Sequence, residues 1–138
     1  MSGELDRFVD AQRDTYAAAF AELKRGRKTS HWMWFVFPQI AGLGHSQTAK
    51  FYALQSLDEA RAYLAHPVLG PRLHECIAAL AALPPITADA VFGGIDAIKL
   101  RSSLTLFIAA GGGDDVVAAL DHWYGGRSDD ATLGLLGS

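Results

Sequence analysis

The stretch TSHWMWFVFPQIAGLGHS, residues 29–46, is the one part of the chain that departs from plain helical patterning. Between His31 and Phe37 it sets Trp32, Trp34, Phe35, Val36 and Phe37 almost side by side, a composition that suits a buried strand and a buried helix alike. A strand must pair its backbone amides and carbonyls, and no other segment reads as its partner. The stretch is therefore expected to form a short buried helix capped by Ser30 and ended by Pro38. A glycine-containing loop through Gly42 and Gly44 then leads to a new cap at Ser46. Read this way, the chain is all-α, a single helical domain over residues 1–138 with about six to seven helices.

The flanks agree. From Glu4 to Arg25, the residues Leu5, Phe8, Val9, Tyr16, Ala19, Phe20 and Leu23 keep the spacing of one helix face, and Gly26 supplies a left-handed stop. Ser56-Leu57-Asp58-Glu59 is a capping box for a helix to about His66. A further helix starts around Pro67 to Pro71 and is ended by Pro84-Pro85, with Leu69, Leu73, Ile77 and Leu80 inward. Thr87 caps a short turn closed by Gly93-Gly94, and Asp96 caps a helix to about Ala110. After the Gly111–Gly113 loop, Asp114 or Asp115 caps the next helix, and Asp129 or Asp130 starts a last turn through Leu136.

Composition narrows the functional classes. With 138 residues, 50% apolar and 20% charged, the chain makes a packed globule rather than a disordered segment. Twelve basic against fifteen acidic side chains leave a net charge of -3, so there is no basic field to hold nucleic acid or an anionic membrane. The most apolar run, Trp32 to Leu43, is interrupted by Pro38 and Gln39 and is well short of the ~20 residues that span a bilayer. Glu4, Asp6 and Arg7 stand where an export signal would need apolar residues, and the expected location is the cytoplasm. Cys76, alone, forms neither an internal disulfide nor a zinc framework, and reads as a core thiol.

The string Gly26-x-Lys28-x-Ser30-His31-Trp32-Met33-Trp34, followed by Phe37-Pro38-Gln39 and Gly42-x-Gly44-x-Ser46, resembles the signature of domain-of-unknown-function family 1810. Further matches are Phe8-x-x-Ala11-Gln12, Glu59-Ala60, Tyr63-Leu64, Phe92-Gly93, Asp96-x-x-Lys99, Ser102, Thr105-Leu106-Phe107, and Gly126 with Asp129 and Thr132. The resemblance thus extends over nearly the whole chain. It implies a compact, mainly helical bacterial-type domain and no settled activity.

Three groups of residues carry the chemistry on offer. In the first, Trp32 or Trp34 can stack on a ring, Lys28 can attract an anion, His31 can exchange a proton near neutral pH, and Gln39 can read a polar edge. Equally, Trp32, Trp34, Phe35 and Phe37 can be core, His31 can bond a backbone group at a helix end, and Lys28 can face water. The second is Gln12, which stands between Val9 and Tyr16 on an apolar stripe, so that its amide is expected to be buried and bonded, either to the loop backbone around Pro38 to Gly44 or to a ligand. The third is an edge of Asp96, Lys99, Ser102 and Ser103 at helical spacing, which suits a polar pocket wall or a lysine-activated serine; the plain alternative is Asp96 as a cap neutralised by Lys99.

His45, His66, His74 and His122 show no ligand spacing, no carboxylate pair stands out as an acid-base couple, and neither glycine cluster has the setting of a phosphate or dinucleotide loop. No metal or cofactor is expected. Two functions remain. One is a domain that binds a nucleotide-like or other anionic small molecule, either as a binding protein or as an enzyme with His31 and Lys99 as its catalytic groups. The other is a protein-interaction or homodimerisation module built on the aromatic block. In the first, alanine at Lys28, His31 or Lys99 is expected to leave stability nearly unchanged, and the chain is a monomer or a homodimer.

Overall fold

Caps and glycines divide the chain into ten α-helices among residues 2–137, the part described by a computed structural model. A 3₁₀ turn over Ser2–Leu5 leads into α1 (Asp6–Arg13) and α2 (Tyr16–Arg25). Next come α3 (Met33–Val36), α4 (Gln47–Tyr52), α5 (Leu57–Ala65) and α6 (Leu69–Ala81). The chain continues through α7 (Ala88–Phe92), α8 (Gly94–Ala109), α9 (Asp114–Tyr124) and α10 (Asp130–Leu135). The all-α reading holds, with more helices than the six to seven expected.

Part of the excess is one helix that became two. The helix expected over Glu4–Arg25 breaks at Asp14–Thr15, two residues that favour turns and caps over helix interiors, and its halves serve different neighbours: α1 packs on α3, α2 on α6. The caps at Ser46, Ser56, Thr87 and Asp129 form as expected, each side chain accepting an amide of the first turn. Ser30 is not a cap, because α3 starts at Met33 and the Ser30 hydroxyl goes to Glu22 instead. Asp96, Asp114 and Asp115 are not caps either; α8 and α9 start directly on Gly93 and Gly113, whose positive φ of 83° and 104° completes the turn into the helix.

The disputed stretch resolves as the short helix α3, followed by an isolated parallel bridge between Ile40 and Leu54. Two hydrogen bonds hold it: Ala41 N–H donates to the Leu54 carbonyl at 2.8 Å and Leu54 N–H to that of Gln39 at 2.9 Å.

Two helices organise the core. α6 meets α2, α5 and α9, while α8 meets α5, α7, α9 and α10 and buries residues on every side, from Ala97 and Leu100 to Thr105 and Phe107. Phe8, Tyr63 and Phe107 form a chain of aromatic contacts through the middle, and Trp32, Phe37 and Phe92 form a second cluster beside it. Gln12 is buried as expected, but its partner is the Phe35 carbonyl of α3, 2.6 Å from its amide nitrogen, rather than the loop beyond Pro38. Tyr63 donates to the same carbonyl, and Arg72 donates to the Gln12 oxygen at 3.3 Å. Cys76 lies in the core, and burial pushes its thiol up to about 12. None of the described helices is long and apolar enough to cross a membrane.

Candidate functional site

The site begins where α2 stops. Gly26, left-handed at φ 77°, turns the chain, and the Glu22 carboxylate one helical turn earlier reaches over the segment that follows. It accepts Thr29 N–H at 2.8 Å, Ser30 N–H at 3.0 Å, the Trp32 indole N–H at 2.9 Å, and the Ser30 hydroxyl. Burial alone would raise this carboxyl's pKa; the hydrogen bonds from Ser30, Thr29 and Trp32 outweigh it and hold the group at about 2. On its other side the segment is tied to α7, the Lys28 amide donating to the Val91 carbonyl at 2.8 Å.

Lys28 is thereby fixed inward. Its side chain is only 8% exposed, its ammonium lies 2.8 Å from Asp96 and 2.6 Å from the Ser30 carbonyl, and it stands 5.1 Å from the Trp32 ring. Asp96, in the first turn of α8, also faces Lys99 at 3.6 Å, and Lys99 lies 5.0 Å from the Trp34 ring. Two ammonium groups thus share one carboxylate, while the Glu22 carboxylate is engaged by its donors from Thr29, Ser30 and Trp32.

These groups meet at a surface depression of about 360 Å³, whose walls include Lys28, His31, Trp34 and Asp96, with Met33, Phe92 and the Gly93–Ile95 turn completing it. His31 is exposed. The amides of Gly94, Ile95 and Asp96 open α8 with no carbonyl of that helix before them and no side chain capping them. Depressions of about 420 Å³ between α2 and α6, about 400 Å³ between α6 and α9, and about 400 Å³ over Glu4, Arg7, Phe51, Gln55 and Glu59 are larger; alanines contribute half of the first two linings, and in the third Arg7 is spent on Glu59 and on backbone carbonyls.

Other expected site residues fall elsewhere. Trp32 is fully buried and its ring belongs to the core, so it offers no face to a ligand. Gln39 lines a narrow crevice with Trp34, Tyr52 and Ala53, not the depression. Ser102 donates to the Ile98 carbonyl, and Ser103 is sealed in the core, its hydroxyl without a hydrogen-bond partner among the described residues. Because the Lys99 ammonium goes to Asp96 and the Trp34 face, a lysine-activated serine is not assembled. The polar edge imagined on α8 fails because that helix is surrounded, and the side of Ser102 and Ser103 is an inside. Glu22 and the bare start of α8 were missed. The one trace of Glu22 in the sequence is its position three residues after Ala19, on the edge of the buried stripe.

A family model described as "Protein of unknown function (DUF1810)" matches residues 2–136, nearly the whole chain. This chain belongs to the DUF1810 family. Among solved structures it is similar to the conserved hypothetical protein Rv1873 from Mycobacterium tuberculosis, at 48% sequence identity, with 98% of this chain and 97% of that one covered and a TM-score of 0.95. No curated protein matches it. Of the many residues on which the DUF1810 resemblance was read, Lys28, His31, Met33, Trp34, Phe92, Gly93 and Asp96 line the depression and Lys99 stands beside it, while others such as Gln12, Trp32, Gln39 and Ser102 lie elsewhere.

Proposed function

We propose that this DUF1810 protein binds a small anionic molecule, nucleotide-like or otherwise, in the depression between the Lys28–Trp34 segment and the start of α8. The observation that carries the reading is convergence: Lys28, His31 and Trp34 from one short segment and Asp96 from the start of α8, some sixty residues on, wall one hollow. The electrostatics favour an anion. Lys28 and Lys99 both face Asp96, and the uncapped α8 start presents the positive end of the longest described helix to the same space. Trp34 offers an aromatic wall, and His31 is the group placed to exchange a proton with a bound ligand. Such a site suits a cytoplasmic metabolite-binding protein. The competing reading, an interface centred on the aromatic block, loses its main support because Trp32 is buried and Trp34 is partly covered.

Alanine at Lys28 is a poor test. Contrary to the sequence expectation, it strands Asp96 beside one distant cation and removes a bond to Ser30, so it costs stability by itself. His31→Ala is the informative variant, since His31 is exposed and makes no side-chain hydrogen bond or ion pair among the described residues. In a thermal-shift screen of inorganic phosphate and nucleoside monophosphates, at least one should raise the midpoint of the wild type. Binding at ~100 times the dissociation constant corresponds to roughly 2.7 kcal/mol. The unliganded His31→Ala midpoint should match the wild type while its ligand-induced rise shrinks. Equal rises in both proteins would move the ligand elsewhere and sink the reading.

A further inference from the structure

One side of the depression is built for something other than charge. Ile95 forms part of its wall and is 75% exposed, and Ile98, the next exposed isoleucine along α8, is 63% exposed. These are the two most exposed large apolar side chains among the described residues, three positions apart and so neighbours on one helix face. Scattered exposed isoleucines need no explanation, but Ile95 lines the depression together with Met33, Trp34 and Phe92, and Ile98 lies one turn further along the same face of α8. Lys28 and His31 line the same depression.

We infer that the ligand is amphipathic, a phosphate- or carboxylate-bearing molecule with an apolar or aromatic body that lies against Ile95 and Ile98, and that Ile95 selects it over bare anions. This rests on the anion-binding reading above and adds the substrate class. The chemistry is a charged end in the Lys28–His31 corner and a ring or short chain covering Ile95, which removes apolar surface of both from water on binding. A phospholipid headgroup offers similar chemistry in a membrane, but the net charge of -3 disfavours docking on an anionic surface, so the occupant is a soluble molecule.

Methyl phosphate and phenyl phosphate, compared by calorimetry at a pH where both are dianions, separate the two ideas. Phenyl phosphate should bind the wild type about tenfold tighter, the order expected for partial burial of one ring. Ile95→Asn should bring the ratio of the two affinities to near one; Ile95 is exposed enough for the variant to fold. His31→Glu, which sets a carboxylate at the rim, should weaken both esters to a similar degree. If both esters bind wild type equally and His31→Glu still weakens them, the anion site stands and the selection by Ile95 is overturned. If neither binds, or His31→Glu has no effect, the site itself is wrong and the inference falls with it. Co-sedimentation with phosphatidylcholine vesicles containing phosphatidic acid should be absent; retention by the wild type that Ile95→Asn abolishes would overturn the soluble ligand.

Discussion

Glu22 shows how much one side chain decides about this molecule. Its carboxylate organises the backbone of Thr29 and Ser30 and the indole of Trp32, and so sets where Lys28 and His31 begin. Its pKa falls from an ordinary 4.5 to about 2, which means that between these values the unfolded chain takes up the proton and the folded one does not. The resulting stability is fully present above about pH 4.5 and is lost as pH falls toward 2. It amounts to at most about 3 kcal/mol. Glu22→Gln keeps the shape and removes the titration. Urea unfolding of the two proteins across this range should show their stabilities converging as pH falls; a constant gap would mean that the carboxylate's charge does no such work. Gln12 was legible in the sequence and Glu22 was not, for a physical reason. A glutamine in the middle of an apolar stripe is conspicuous, whereas a glutamate in the last turn of a helix ordinarily faces water, and its partners here lie beyond the turn.

At the scale of helices, caps were legible and breaks were not. Ser46, Ser56, Thr87 and Asp129 could be read because a cap bonds to its own first turn. The division at Asp14–Thr15 could not, because it depends on α1 and α2 having different neighbours. Gly70 is a similar instance: a Cβ there would lie 2.1 Å from the Leu64 carbonyl oxygen, so the junction of α5 and α6 closes only on a residue without one. Gly70→Ala should cost at least about 2 kcal/mol in urea unfolding, at the upper part of what overpacking does. Gly134→Ala, in α10 with nothing within 4 Å of the added carbon, should instead stabilise by ~0.5 to 1 kcal/mol. Equal effects at both glycines would refute the close approach.

Across the whole molecule, the candidate site was legible as a set of residue types but not as a place. Lys28, His31, Trp34, Asp96 and Lys99 stood out because ionisable groups among aromatics and aliphatics need a reason, and the fold brings them together. Trp32, Gln39, Ser102 and Ser103 stood out on the same grounds and lie apart, because sequence spacing tells which residues share a helix face but not whether another helix covers it. The exposed isoleucines drew no notice, since an isoleucine in a helix is presumed inward.

Cys76, the sole thiol, offers a way to time the native state's rare excursions. Alkylation needs a thiolate reached by reagent, and here both are withheld until α6 comes away from its neighbours. Native protein should therefore react with iodoacetamide roughly a thousandfold or more slowly than urea-unfolded chain. Any compound that occupies the hollow beside α8 should lengthen that half-life in step with its occupancy, which turns a buried cysteine on one helix into a gauge of events at the mouth of another.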